Sequence, residues 1–195
     1  MIIEKKLSRK EQLELAATEL FKEKGYAASS MRDLANKLGI EAASLYSHIK
    51  SKEEILSNIC FRMANEFFEA INKIEIENIS ASAKLERAII AHTQVIIKNV
   101  SASSVFLHEW RHLNQPKLDE FIAMREDYQN KFISIIEEGI ANDEFISIDA
   151  KFAVLTILSS LNWIHNWYDP NGKMSPLEIG QQLSRMSING LKIRF

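Results

Sequence analysis

The stretch that decides the fold is "NKLGIEAASLYSHIKSKEEIL", residues Asn36–Leu56. Gly39 separates two short segments with apolar stripes, and glycine is the residue that most readily ends a helix in the left-handed conformation. Ser51 is a plausible N-cap for a third segment, because acidic residues follow it in what would be the first helical turn. The stretch therefore predicts a helix that ends at Gly39, a short helix over about Glu41–Ser47, and a longer helix after Ser51.

Helical patterns extend outward from this stretch in both directions. Upstream, apolar residues recur at helical spacing and predict a helix that ends at Gly25. Ser30 and Asp33 resemble a capping box at the start of the helix that Gly39 ends. We find no repeat, low-complexity tract or strand-like alternation, and therefore predict an all-α fold of about nine helices. The C-terminal helices are predicted over Ala81–Val100, Ser103–Leu113, Lys117–Asn142, Ala150–Tyr168 and from Pro176 to about Gly190.

Charge is distributed unevenly along the 195 residues, although the net charge is only −2. Residues 1–52 hold ten Lys and Arg against seven Asp and Glu, and part of this excess lies in "KKLSRK", Lys5–Lys10. A basic N-terminal segment on a mildly acidic body is typical of a nucleic-acid-binding module joined to another domain. The N-terminus lacks the apolar core of a signal peptide, and no apolar run is long enough to cross a bilayer. The single cysteine, Cys60, fits a reducing compartment, so we expect a cytoplasmic protein without membrane contact.

The two short helices around Gly39 have the helix-turn-helix arrangement. In that arrangement the second helix enters the major groove of DNA, which would explain the small residues Ala42 and Ser44 and the hydrogen-bonding residues Tyr46 and His48. Lys52, at the start of the next helix, would make a phosphate site with nearby backbone N–H groups. Periodicity alone leaves a second interpretation open, because a helical hairpin inside an ordinary bundle would show the same pattern.

The residues "AATELFKEKGYAASSMRDLANKLGIEAASLYSHIKSKEEIL" carry a resemblance to a known family. Residues 9–56 resemble the DNA-binding domain of the tetracycline repressor (TetR) family, whose members are homodimeric, mostly repressing regulators with a variable helical ligand domain. Glu41, Ala42 and His48 depart from the common pattern and bear on the operator sequence. The predicted DNA contacts are Ser29, Ser30, Arg32, Glu41, Ala42, Ser44, Leu45, Tyr46, His48 and Lys52.

The segment "HEWRH", His108–His112, points to a different chemistry. It matches H-E-x-x-H, in which two histidines one helical turn apart hold zinc and the glutamate acts as the base. The pattern is short, ends near Pro116 and lacks the His-x-x-Gly-x-x-His continuation, although downstream carboxylates leave a third ligand open. A zinc-dependent helical hydrolase is therefore kept only as an alternative, and no metal, cofactor or catalytic residue is predicted.

The C-terminal region resembles, more loosely, TetR-family regulators of lipid and sterol breakdown that respond to acyl-coenzyme A thioesters. This resemblance implies an acyl chain among aromatic side chains and an arginine at the phosphate or thioester oxygens. For Trp163 and Trp167 a packed helix end or a dimer interface stays open, and for Arg125 and Tyr128 a surface salt-bridge face does. The predicted ligand contacts are Phe106, Trp110, Arg111, Phe121, Arg125, Tyr128, Phe132, Asn162, Trp163, Asn166 and Trp167.

The predicted organisation is a helix-turn-helix DNA-binding domain over residues 7–67, with the motif at about 30–49, and a ligand-binding and dimerisation domain over residues 68–195. The last two helices are expected to pair with their copies in a homodimer, with Ser159, Ser160, Gly180 and Ser184 permitting close approach. The predicted function is a ligand-responsive repressor of transcription that binds double-stranded operator DNA and answers to a small effector. An adaptor that uses the N-terminal unit only for protein contacts is a further alternative.

Overall fold

The computed structural model describes residues 7–193, so Lys5 and Lys6 of the basic N-terminal segment lie outside the described residues. Those residues form helices and no strand, as predicted, with one isolated bridge between Phe145 and Lys192. If α8 and α9 are counted as the single helix predicted over Ala150–Tyr168, the described chain has nine α-helices. The helices are α1 Arg9–Lys24, α2 Met31–Leu38, α3 Ala42–Tyr46, α4 Lys52–Glu75, α5 Ala81–Lys98, α6 Val100–His108, α7 Lys117–Ala141, α8 Ala150–Asn162, α9 Ile164–Trp167 and α10 Pro176–Leu191.

The chain divides into two compact units. The N-terminal unit runs to Met63 and also includes Ser101–Phe121, and the C-terminal unit comprises Ala64–Val100 and the chain from Ile122 onward. Contacts over long sequence separations thus group most of α6 and the following turn with α1–α3. The predicted boundary between residues 67 and 68 stays a prediction.

Helices α1, α2 and α3 are held by caps and by a small apolar core. Ser30 Oγ accepts from the backbone N–H of Asp33, whose carboxylate accepts from the N–H of Ser30, so the predicted capping box is confirmed. The Ser30 hydroxyl also donates to the Asp33 carboxylate, and this bond, followed by the one from the Ser30 N–H, holds the pKa of Asp33 below its usual range. Gly39 ends α2 in the left-handed conformation, with φ 63°, as predicted. The buried apolar side chains include Leu13, Ala17, Leu20, Phe21, Leu34, Ala35, Leu45 and Ile49.

In the C-terminal unit, α5 packs against α8, α9 and α10. A Cβ built on Gly180 of α10 would lie 3.1 Å from Cα of Ile90, so this glycine permits close approach to α5. Ser184, one turn later, is 1 % exposed. The prediction that Gly180 and Ser184 would approach a second subunit is therefore wrong, because both face the chain's own interior. Ser159 and Ser160 of α8 are exposed.

The loop after α7 joins three helices of the C-terminal unit. The carboxylate of Glu144 accepts from the backbone N–H groups of Ala81 and Ser82, each at 2.9 Å, and so caps α5. Phe145 is 1 % exposed, and the N–H of Ile146 donates to the carbonyl oxygen of Leu191 at 2.8 Å. The start of α5 is thereby tied to the loop, and the loop to the end of α10.

The predicted helix over Ala150–Tyr168 differs from the structure in two respects. It is interrupted at Trp163, where α8 ends and α9 begins. It is also not buried all round within one chain, because Phe152 is 63 % and Trp163 is 62 % exposed. None of the described helices is both long enough and apolar enough to cross a bilayer.

Candidate nucleic-acid interface and effector region

The turn between α2 and α3 sets the direction of α3. The N–H of Gly39 donates to Asn36 O at 3.1 Å, and the N–H of Ile40 donates to Ala35 O at 3.1 Å. Nothing lies within 4 Å of a Cβ built on Gly39, so its left-handed φ is what favours glycine here. On α3 itself, Leu45 is 0 % exposed and Ile49, just beyond the helix, is 2 % exposed. These two side chains anchor α3 to the core and fix which of its faces meets solvent.

The outer face of α3 carries most of the residues predicted to read DNA. Glu41, Ser44 and His48 are exposed, Ala42 is half-buried, and Tyr46 is 54 % exposed. Glu41 precedes α3 at the N-cap position, but its carboxylate makes no capping hydrogen bond to the helix. Leu45 is also among the contacts predicted from the sequence. Its burial makes it a support for the helix, and its side chain is not available to a base.

The start of α2 presents a second set of predicted contacts. Ser30 and Arg32 are exposed, and the hydroxyl of Ser30 bonds to the carboxylate of Asp33. Ser29 is only 4 % exposed and donates through Oγ to the carbonyl oxygen of Gly25 at 2.7 Å. Ser29 therefore shapes the turn between α1 and α2 and the hydroxyl of Ser30 caps α2, whereas the side chain of Arg32 is exposed and available to a phosphate.

Lys52 has a different place from the one predicted for a phosphate anchor. Its Nζ donates to the carbonyl oxygens of Tyr26 and Ser29, at 2.9 and 2.8 Å, and lies 4.1 Å from the centroid of the Tyr26 ring. Two of the three N–H donors of the ammonium are thus used within the unit. Lys52 thus joins the first turn of α4 to the turn before α2. Through this contact it stabilises the position of α2, whose start belongs to the candidate DNA-binding surface.

Tyr26 is the centre of this cluster. Its hydroxyl donates to Oε1 of Glu53 at 3.3 Å, and its ring contacts Phe21 edge-on at 5.2 Å between centroids. Burial, with Glu53 as a second cause, raises the pKa of Tyr26. The ring of His112 stacks on Tyr26 at 5.2 Å.

The segment His108–His112 does not have the geometry of a zinc site. Helix α6 ends at His108, and Trp110–His112 form a separate turn of 3₁₀-helix. The two histidines are thus not one turn apart on a single α-helix, as the zinc motif requires. His108 bonds through Nδ1 to the carbonyl oxygen of Ser104 at 2.9 Å. Within residues 7–193, no three potential ligands from His, Cys, Asp and Glu come together. The hydrolase alternative is unsupported.

Four predicted ligand contacts lie together in the N-terminal unit. Phe121 is 0 % exposed and contacts Phe106 at 5.4 Å and Trp110 at 6.0 Å between ring centroids. The guanidinium carbon of Arg111 lies 4.4 Å from the centroid of the Trp110 ring. These four residues form an aromatic cluster with one exposed cation at its rim.

Three other predicted contacts meet in the C-terminal unit, around a residue that the sequence analysis did not select. Tyr128 and Asn162 lie on either side of His92, and Phe132 is buried beside them. His92 is 3 % exposed, and burial lowers its pKa to about 4. A lone histidine in the apolar stripe of α5 carries no local signal of function. Its two hydrogen-bond partners are visible only in three dimensions.

The remaining predicted ligand contacts are at or near the surface of the C-terminal unit. Trp163 and Trp167 are 62 % and 44 % exposed. Asn166 is exposed and bonds through Nδ2 to Nε2 of His165 at 3.0 Å, and Arg125 is half-buried. The structure therefore separates the predicted ligand residues into two clusters around buried aromatic side chains and a third set at or near the surface.

Comparison with known proteins identifies the family to which this architecture belongs. Residues 15–59 match the family model of bacterial regulatory proteins of the tetR family, and residues 78–191 match the tetracyclin repressor-like C-terminal domain. The HTH-type transcriptional repressor KstR2 of Mycolicibacterium smegmatis is 28 % identical over 188 residues, which cover 94 % of this chain and 90 % of that protein.

Two solved structures extend the comparison. PfmR of Thermus thermophilus, a TetR-family transcriptional regulator, is 31 % identical with a TM-score of 0.81, over 95 % of this chain and all of that one. AibR, solved in complex with isovaleryl coenzyme A and operator DNA, shares the fold with a TM-score of 0.79 at 19 % identity, over 96 % of this chain and all of that one. The helix-turn-helix unit, the helical C-terminal unit and both family matches lead to one conclusion: this chain is a transcriptional regulator of the tetR family.

Proposed function

We propose that the chain is a homodimeric repressor that places α3 in the major groove of an operator. The observation that carries this proposal is the outer face of α3, where Ser44, Tyr46 and His48 are exposed on a helix anchored by buried Leu45. The fixed direction of the helix matters, because base contacts require side chains at defined positions in the groove. Arg32 at the start of α2 binds a backbone phosphate beside it. Such a regulator acts in the cytoplasm, where its DNA is.

The test is binding to the DNA flanking the protein's own gene, measured by fluorescence anisotropy at several salt concentrations. Affinity should fall steeply with salt, because each neutralised phosphate releases counterions. Replacement of Tyr46 by Ala should weaken binding about tenfold or more, consistent with the loss of one good contact. The matched control is Ile76→Ala, since Ile76 is 86 % exposed and follows α4. Equal affinities for wild type and Tyr46→Ala would contradict the proposed orientation of α3.

Dimerisation is proposed to use α8 and α10. Phe152 and Leu155 of α8 are 63 and 47 % exposed, Trp163 directly after α8 is 62 % exposed, and Met186 of α10 is 73 % exposed. Exposed apolar stripes of this kind mark interfaces. A dimer would also let two copies of α3 reach successive major grooves, about 34 Å apart. Phe152→Ser with Leu155→Ser should give a monomer in sedimentation and lower operator affinity. A double variant that remains dimeric would contradict this interface.

The proposed effector is a small hydrophobic molecule, with an acyl-coenzyme A thioester as the specific candidate. Support comes from the complex of AibR with isovaleryl coenzyme A and from the two aromatic clusters of this chain. The test is thermal unfolding of the full chain with butyryl-, isovaleryl-, octanoyl- and palmitoyl-coenzyme A, since a ligand of the folded state must raise its stability. The same compounds should release operator DNA. No stabilisation by any of the four would reject this effector class.

A further inference from the structure

Three side chains of the C-terminal unit form a hydrogen-bonded polar chain, Tyr128–His92–Asn162. Nδ1 of His92 is 2.9 Å from the hydroxyl oxygen of Tyr128, and Nε2 is 3.2 Å from Oδ1 of Asn162. Since Oδ1 can only accept, Nε2 carries the proton of the neutral ring and Nδ1 accepts from the Tyr128 hydroxyl. The residues lie on α5, α7 and the last turn of α8, so the polar chain joins three helices.

Aromatic side chains surround the polar chain. The ring of Phe67 lies 4.6 Å from that of His92, and Phe68 contacts Tyr128 edge-on at 5.7 Å. Thr93, next to His92 on α5, is 0 % exposed, and its Oγ1 has no hydrogen-bond partner among the described residues. Polar groups in such surroundings cost stability unless every donor and acceptor is satisfied. A core selected for stability alone would place apolar side chains here.

The donors of the polar chain are not all used. Asn162 Oδ1 accepts from His92, while the two N–H groups of Nδ2 donate to no acceptor among residues 7–193. His92 is buried, but Tyr128 and Asn162, at the two ends of the polar chain, are only half-buried. The free amide N–H groups are therefore at a partly exposed end of the polar chain.

We propose that Nδ2 of Asn162 donates a hydrogen bond to a carbonyl oxygen of the effector, and that this contact selects a thioester or ketone over a carboxylate. The inference rests on the proposed function, whose effector class it narrows. Both hydrogen-bond partners of His92 are neutral. A carboxylate bound to this amide would meet only neutral groups of the polar chain and no compensating cation, whereas a carbonyl oxygen needs only the donor.

His92 acts in this proposal as a positioning residue. Its Nε2–H holds Oδ1 of Asn162, and the planar amide then directs Nδ2 away from the imidazole. Tyr128 holds the opposite side of the ring through Nδ1. The orientation of the amide is thus determined from the interior of the unit, and the effector meets a donor whose direction is already set.

The central comparison is between two ligands that differ only at the carbonyl, the thioester and its thioether analogue. The tightest of the four acyl-coenzyme A compounds is titrated by calorimetry against its thioether analogue, in which a methylene replaces the carbonyl, and against the free carboxylate of the same chain. Wild type should bind the thioester about tenfold or more tightly than the thioether, because only the thioester can accept from Asn162. The Asn162→Asp variant, which cannot donate at this position, should lose that preference. The matched control is Asn130→Asp, an exposed asparagine on α7, which should retain it.

A second pair of variants separates positioning from folding. His92→Gln keeps an amide donor and should retain part of the preference, whereas His92→Phe should abolish it even where the melting temperature is unchanged. Equal binding of thioester and thioether by wild type, or a preference that survives Asn162→Asp, would overturn the inference while leaving an acyl-coenzyme A effector intact. Tighter binding of the free carboxylate would also overturn it. If none of the four thioesters binds wild type, the effector class is wrong and the inference fails with it.

Discussion

The ammonium of Lys52 lies over the ring of Tyr26 and donates to the carbonyl oxygens of Tyr26 and Ser29. One side chain thus satisfies two backbone acceptors of the turn that precedes α2 and binds that turn to the first turn of α4. The contact links residues 26 positions apart in sequence, so it fixes tertiary structure within the N-terminal unit. It gives Lys52 a structural role that a cation near DNA would not be expected to have.

Replacement of Lys52 by Met should lower the free energy of unfolding by about 1–3 kcal/mol, because the carbonyl oxygens of Tyr26 and Ser29 both lose the ammonium donor and that of Tyr26 keeps the N–H of Ser29. Operator affinity should fall with it, while the salt dependence of binding stays as in wild type. A direct phosphate contact would instead reduce the salt slope by about one. Urea unfolding and anisotropy titrations at several salt concentrations measure the two quantities, with the exposed Lys50→Met as the stability control.

Gly39 should tolerate asparagine better than alanine. Its φ of 63° costs a residue with a Cβ about 1–2 kcal/mol, and nothing lies near a Cβ built there, so no steric clash adds to this cost. Asparagine visits this conformation more readily than other residues with side chains. Gly39→Ala should therefore be less stable than Gly39→Asn in urea unfolding. Equal stabilities of the two variants would mean that φ at this turn is not the limiting factor.

Replacement by alanine should lower the stability of the protein at one helical glycine and raise it at another. A Cβ on Gly139 would lie 2.1 Å from the ring of Phe145, which is 1 % exposed and has no room to move. Gly139→Ala should therefore destabilise the protein by about 1–3 kcal/mol or more. Nothing lies within 4 Å of a Cβ on Gly190, near the end of α10, so Gly190→Ala should stabilise by up to about 1 kcal/mol. Thermal melts of both variants against wild type test the contrast.

His92 should make stability fall as the solution becomes acidic. Its pKa is about 4 in the folded protein and 6.5 in the absence of burial, so the unfolded chain takes up the proton first. The free energy of unfolding is unaffected by this group above about pH 6.5. It decreases as the pH falls from about 6.5 to about 4, and the total loss is roughly 3 kcal/mol. Urea unfolding at pH 7 and pH 4.5 should show a smaller difference for His92→Phe than for wild type. Carboxylates such as Asp33 also contribute less to the stability of the protein in acid, but this loss is the same in wild type and in His92→Phe.

Features set by neighbouring residues could be predicted from the sequence. The end of α2 at Gly39, the capping box of Ser30 and Asp33, and the start of α10 at Pro176 each depend on a few consecutive positions. The family resemblance likewise depended on consecutive residues, which is why the tetR assignment was confirmed.

Features set by residues distant in sequence could not be predicted. Nothing near Lys52 indicates that its ammonium would bond to the turn at Tyr26, and nothing near His92 indicates the hydroxyl and amide that hold it. The placement of Gly180 against Ile90 has the same origin. A small residue on a helix indicates a close approach but does not indicate which helix approaches. The DNA and effector contacts themselves remain predictions, which the variants above test residue by residue.

The membership of Ser101–Phe121 in the N-terminal unit has a practical consequence for protein engineering. Hybrid regulators are made by joining the DNA-reading part of one protein to the sensing part of another, usually at a single crossover. In this chain such a crossover would leave Tyr26 facing a foreign residue in place of His112, and Phe61 facing one in place of Phe121. A working hybrid should therefore carry two transplanted segments, the N-terminal one and the one that returns to it.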